Sequence, residues 1–152
     1  MNTQHRGRAA FAVCGSFCTL GAAAAQAEQL VRQGWELLPV MSFAASQLDT
    51  RFGRASEWKE RLEQLTGHPV LDSLQAVEPL GPKRLAEALV IAPCTGTTLA
   101  RLAAGLSDTP VTLAAKSLLR VGCHQRRPGR IGGEHCPAAP AQALLLRALR
   151  AG

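Results

Sequence analysis

Ala9-Ala10-Phe11-Ala12-Val13-Cys14-Gly15-Ser16-Phe17-Cys18-Thr19 opens as an unbroken apolar run and closes in a Gly-Ser turn. A run of this kind predicts a strand over Ala9 to Cys14 that is buried on both faces, as in a parallel sheet. Leu20 to Gln33 follows as an Ala-rich helix with Glu28 and Arg32 at i,i+4 spacing. Gly34 stops it as a left-handed C-terminal residue would, and Trp35 to Met41 reads as a second strand. Strand, Gly/Ser turn, helix and strand together make a right-handed βαβ unit whose turn lies at the strand's carboxyl end. The fold class is therefore α/β with a parallel, doubly wound sheet.

The same grammar continues for most of the chain. Ser42 to Gly53 is a polar-tipped connection, and Ala55 to Leu65 a helix with Trp58, Leu62 and Leu65 on one face, closed by Thr66-Gly67. His68 to Leu71 is a short extended piece, Pro79 to Pro82 a turn, and Lys83 to Glu87 one helical turn. Ala88-Leu89-Val90-Ile91-Ala92 is the clearest buried strand of the sequence, and it runs straight into Pro93-Cys94-Thr95-Gly96-Thr97-Thr98. A helix over Leu99 to Ala104 comes next, and Pro110 opens another towards Leu119.

The formal charge of +6 hides an uneven distribution. Residues 1–119 hold 11 Lys and Arg against 10 Asp and Glu, while residues 120–152 hold six Arg and one Glu. The basic excess belongs to the tail rather than to a folded face, which speaks against nucleic acid as a partner. Five cysteines, an odd number in small apolar surroundings, fit free thiols in a reducing compartment better than a disulfide framework. Cys123, His124, His135 and Cys136 invite a zinc reading, but adjacent residues seldom converge on one ion, and chance in an Arg/Pro/Gly-rich tail is the alternative.

The N-terminus carries a decoy. Arg6 and Arg8 precede an apolar run to Ala25, and Ala25-Gln26-Ala27 mimics a signal-peptidase site. Cys14-Gly15-Ser16 and Cys18-Thr19 break that run where a signal peptide carries Leu, and one helical pattern continues past Ala27. No other segment is apolar enough to span a membrane, so a cytoplasmic protein is expected.

The chemistry is expected at two matching turns. Gly15-Ser16 and Thr95-Gly96-Thr97-Thr98 each follow a strand and open a helix, where backbone N–H groups and hydroxyls can meet a phosphate. In a doubly wound sheet two such turns can line one crevice. Ser and Thr are also the preferred helix N-caps, and capping alone is the alternative. The glycine spacing matches neither a dinucleotide fingerprint nor a P-loop, which leaves a mononucleotide.

Val13 to Thr19, Pro39 to Ser42, Asp49-Thr50-Arg51-Phe52-Gly53, Glu78 to Lys83, Leu89 to Gly96 and Asp108 to Lys116 together resemble the B subunits of dipicolinate synthases. Those subunits are a branch of the FMN-binding flavoprotein family, which also holds the cysteine decarboxylases of coenzyme A synthesis. The resemblance covers residues 9–119. It implies a Rossmann-like three-layer sandwich, a homo-oligomer with FMN near subunit contacts, and a dehydrogenase-like A subunit as partner. It also implies a role in the last step to dipicolinate in the mother cell of a spore-forming bacterium. Ser16 and Ser42 match positions that meet the flavin phosphate or ribityl chain, and Thr95, Gly96, Thr97 and Thr98 match the second loop. The family usually has Asn where this chain has Thr97, so an amide contact would be lost. The decarboxylase branch relies on a His early in the fold, and Met41 to Gly53 holds none; His68 reads as a solvated loop residue. Arg51 could fork onto a small dicarboxylate substrate; pairing with Asp49 or a helix end is the alternative. No catalytic residue is assigned.

Three segments result: a frayed, disordered tail over residues 1–8, the flavoprotein-like domain over 9–119, and an atypical tail over 120–152. The family continues past the Ala-Ala-Lys helix with a strand and an Asn-Asp loop. Here Arg, Pro, Gly, Ala and Leu take over, as off-frame reading of GC-rich DNA would give. A truncated or frameshifted C-terminus is therefore expected, with no sheet in residues 120–152 and at most one helix over Ala138 to Leu149.

Overall fold

A computed structural model describes residues 6–125, with side chains up to residue 120. Three parallel strands, β1 (Gly7–Val13), β2 (Trp35–Met41) and β3 (Ala88–Ile91), lie in the order β2-β1-β3. β1 and β2 pair along their full length, from Gly7 opposite Trp35 to Val13 opposite Met41. Helix α1 (Leu20–Arg32) forms the first crossover. The remaining helices are α2 (Phe43–Gln47), α3 (Ala55–Thr66), α4 (Leu74–Val77), α5 (Gly96–Ala103) and α6 (Pro110–Gln125).

Alternation along β1 divides the core between two layers. Ala9, Phe11 and Val13 point to one face and pack with Leu20 and Ala27 of α1, Leu62 of α3, and Val70. Ala10, Ala12 and Cys14 point to the other and meet Val77, Leu80, Val111 and Ala114. The result is the three-layer α/β sandwich expected, with helices on both faces of a parallel sheet. Burying Phe11, 1% exposed, is worth about 2–3 kcal/mol.

Several boundaries differ from the expected ones. β1 starts at Gly7, two residues before Ala9, because Arg8 joins the sheet: its N–H donates to Glu87 Oε1 at 3.1 Å and its guanidinium pairs with Glu36 at 2.9 Å. The apolar stretch that imitates a signal peptide is divided between β1, a 3-10 turn over Phe17–Thr19 and the first turns of α1. The connection after Met41 holds the short helix α2, and Leu71 bridges β2 with hydrogen bonds of 3.0 and 2.8 Å, accepting from Met41 and donating to Pro39. Lys83 to Glu87 is a turn rather than a helical turn.

β3 is only half-buried, although its sequence is the most uniformly apolar of the three. Its position explains this: β3 borders β1 on one side and has no second neighbour among the described residues. Helix α6 runs on through Leu119 to Gln125. Residues 126–152, including the expected helix at Ala138 to Leu149, and the side chains of the Cys123, His124, His135 and Cys136 pattern lie outside the described residues. No helix among the described residues is long and apolar enough to cross a membrane.

Candidate functional site

Three turns meet at the carboxyl edge of the sheet. The first is Cys14-Gly15-Ser16, which leaves β1 and enters the 3-10 turn at Phe17. The second begins at Ser42, whose backbone N–H donates to Val13 O at 3.0 Å. Ser42 Oγ accepts the Ala45 N–H at 3.2 Å and caps α2. A Cβ built on Gly15 would stand 3.1 Å from Ala44 Cβ and 3.5 Å from the Phe17 ring, so the first turn lies tightly against α2. The third turn follows β3, and Cys14 N–H donates to Pro93 O at 3.2 Å.

Thr95 is the N-cap of α5 and accepts the Thr98 N–H on its hydroxyl at 3.2 Å. The same hydroxyl donates to Thr98 Oγ1 at 3.0 Å, and Thr98 Oγ1 donates to Cys14 Sγ at 3.3 Å. This relay stitches the third turn to the first. Cys14 is wholly buried. Burial pushes its thiol above the usual range, while the Thr98 hydroxyl and the Thr95 backbone N–H partly offset the rise.

The expected site residues thus divide into two groups. Gly15, Ser16, Ser42, Thr95, Gly96, Thr97 and Thr98 come together at one sheet edge. Thr98, 8% exposed, turns inward to the sulfur, and Thr95 is engaged in the cap. Gly96 and Thr97 are exposed, and a Cβ on Gly96 would meet nothing within 4 Å. Their N–H groups head α5, where helical geometry supplies no acceptor. Thr19 Oγ1 donates to Ser16 O at 2.9 Å and lies 3.1 Å from Ser16 Oγ. Two helix N–H groups without an intrahelical acceptor are the kind of donors that suit a phosphate oxygen.

Arg51 stands apart from this group. It occupies the tip of the tight Thr50–Gly53 turn, exposed, with its guanidinium 4.8 Å from the Phe52 ring centre. Asp49 does not pair with it: Asp49 Oδ1 accepts the Ala55 N–H at 2.9 Å and caps α3. His68 is not merely solvated: its Nε2 lies 2.9 Å from Glu36 Oε1 at the start of β2, and so at the opposite edge of the sheet. A shallow hollow of about 340 Å³ also lies at that amino-terminal edge, between Arg8, Glu36, Arg84 and Glu87. Its Arg8 and Glu36 satisfy one another, and it is remote from the three turns.

Two features escaped the sequence reading. The Thr98–Cys14 contact joins residues 84 positions apart, and nothing local announces it. Helix α2 did leave a signal, a Ser followed by Phe-Ala-Ala-Ser, but five residues give no hydrophobic period to detect.

Known proteins share this arrangement of strands and turns. The Flavoprotein family model matches residues 2–126. The B subunit of dipicolinate synthase from Bacillus subtilis (strain 168) is 43% identical over 113 residues, which are 74% of this chain and 56% of that protein. The crystal structure of the corresponding B subunit from Bacillus halodurans superposes with a TM-score of 0.68 at 37% identity, over 80% of this chain and 62% of that one. DmrB of Burkholderia xenovorans, crystallised in complex with FMN and described as a cubic protein cage for redox transfer, superposes with a TM-score of 0.60 at 29% identity, over 79% and 63%. The chain spans a little over half the length of the curated relative it matches.

Proposed function

Starting from a chain that belongs to the flavoprotein family, we propose that it binds FMN at the carboxyl edge of its sheet and serves as the flavoprotein-type B subunit of a dipicolinate synthase. The observation that carries this reading is the convergence of the Gly15-Ser16, Ser42 and Gly96-Thr97 turns, held together by the Thr98–Cys14 bridge.

In this reading Gly96 and Thr97 offer backbone N–H groups to the phosphate, and Thr97 adds a hydroxyl where relatives carry an amide. Ser16 and Ser42 donate hydroxyl hydrogens to the phosphate or the ribityl chain. Thr95 and Thr98 act one step behind, by fixing the turn that presents Gly96 and Thr97. Gly15 keeps the first turn close to α2, so that Ser16 and Ser42 share one side of the crevice. FMN, when bound, supplies a ring that can accept or release a hydride. Arg51 offers a fork for one carboxylate of a small dicarboxylate substrate.

The partners in this reading are a dehydrogenase-like A subunit and further copies of this chain. DmrB, described as a cage, is the precedent for self-association. The setting is the cytoplasm of the mother cell in a spore-forming bacterium, with neither nucleic acid nor membrane as a partner. The position of His68 favours one alternative, a non-catalytic binding or scaffold subunit. Paired with Glu36 at the far edge of the sheet, it supplies no acid or base at the crevice. Another FMN-dependent, decarboxylase-like activity is the weaker alternative.

Titrating the purified full chain with FMN and following flavin fluorescence tests the binding step. Saturable quenching by the chain, competed by inorganic phosphate, is the expected result. Fluorescence that stays constant at every protein concentration would overturn it.

A further inference from the structure

Two of the described thiols lie beside one another beneath the third turn. β1 and β3 pair at a constant offset, Ala9 opposite Ala88 through Ala12 opposite Ile91. The hydrogen bond from Ala92 N–H to Ala12 O (2.9 Å) keeps that offset, but Cys14 N–H donates to Pro93 O (3.2 Å) where the offset would give Ala92 O, so the pairing slips by one residue. The slip sets Cys94 opposite Cys14. Neighbouring strands lie about 4.8 Å apart, which puts the two Cα atoms roughly 5 Å apart. A disulfide spans about 4.4–6.8 Å between Cα atoms.

The surroundings of the two sulfurs differ. Cys14 is wholly buried and receives the Thr98 hydroxyl at 3.3 Å. Cys94 is half-buried, with its Sγ 3.7 Å from Thr95 O. Burial, and then the nearby Cys14, push the Cys94 thiol up. Cys18 is exposed beyond the 3-10 turn.

We propose that Cys14 and Cys94 form a reversible disulfide that ties the turn after β1 to the turn after β3. Cys94, the more accessible of the two, attacks one sulfur of a low-molecular-weight disulfide as its thiolate, gives a mixed disulfide and releases one small thiol. Cys14 loses its proton to solvent with the Thr98 hydroxyl and the Thr95 N–H to hold the charge. It then attacks the Cys94 sulfur and expels the second small thiol. The protein dithiol is oxidised by two electrons, and the small disulfide is reduced to two thiols. The link fixes β1 covalently to the first turn of α5, which presents Gly96 and Thr97. It is a redox clamp on the crevice, and it does not depend on which ligand the crevice holds.

The full chain is incubated with oxidised glutathione at mildly alkaline pH, blocked with iodoacetamide and digested with trypsin and chymotrypsin. Cleavage after Phe17 separates Cys14 from Cys18. A peptide pair joining Cys14 to Cys94, absent after reduction with dithiothreitol, is expected. In Cys14→Ser the reaction should stop at a glutathione adduct on Cys94. Cys94 recovered from the unsubstituted chain as alkylated, as a lasting glutathione adduct, or joined to any other cysteine would overturn the proposal.

Discussion

Thr98 Oγ1 donates to Cys14 Sγ at 3.3 Å, a buried bond between the first turn of one helix and the last residue before another strand's turn. Thr98 also accepts from Thr95 Oγ1, so one hydroxyl joins a helix cap to the sheet. Replacing Thr98 with Val keeps the shape and deletes the hydrogen-bonding group, leaving the Thr95 hydroxyl without its acceptor. A loss of about 1–2 kcal/mol in urea unfolding is expected, with Ser restoring most of it. Equal stability of the Val variant and the unsubstituted chain would show that the relay contributes nothing.

The buried Cys14 thiol makes stability depend on alkaline pH. Its folded value is raised above the ordinary 9.0, so the unfolded chain loses this proton first as pH rises. The contribution is fully present below about pH 9 and is lost as pH climbs towards the folded value. Unfolding free energy should therefore decline more steeply above about pH 9 in the unsubstituted chain than in Cys14→Ala. Parallel curves would count against a raised thiol.

Two glycines at the candidate site should behave differently. Gly15→Val sets new atoms against Ala44 and Phe17, where even a Cβ stands 3.1 Å away, and so parts the first turn from α2. Gly96→Ala adds its methyl to open space. The first should lower both melting temperature and FMN affinity, the latter about tenfold or more. The second should leave melting unchanged, and any loss of flavin affinity would then report on the ligand alone. A Gly15→Val protein with unaltered flavin affinity would remove this turn from the proposed site.

Gly53 closes the turn that carries Arg51 at φ +132, where L side chains rarely fit, and its Cβ would stand 2.8 Å from Trp58 Nε1. That indole nitrogen is already buried without a partner. Gly53→Ala should cost about 1–3 kcal/mol through strain and displacement of Trp58. Tryptophan fluorescence alongside urea unfolding reads both effects.

The layers of the fold were legible because Ala9 to Met41 states its periods plainly. An apolar run, an Ala-rich helix and Trp35 to Met41 became β1, α1 and β2 with few changes. The burial of β3 was misjudged, since composition reports what a strand can bury and only topology says whether it has two neighbours. At the crevice, residue type identified which positions cluster but not which way each side chain faces. Thr95, Thr97 and Thr98 are alike in sequence, yet a helix of 3.6 residues per turn sends Thr98 inward and leaves Thr97 outside. The contacts of His68 and Arg8 with Glu36 depend on tertiary placement, which single residues do not encode.

The strand order gives the crevice two walls of different character. β1 is hydrogen-bonded on both flanks, so its amides should be among the slowest in the molecule to exchange with deuterium, and the Gly15 turn rides on that fixed jaw. The Gly96 turn rides on β3, a four-residue strand bonded on one flank among the described residues. A ligand at the proposed site would be held between a wall carried by β1 and a wall carried by the less hydrogen-bonded β3. The energy of that grip should appear chiefly as slowed exchange in β3 and the head of α5, with β1 almost unchanged.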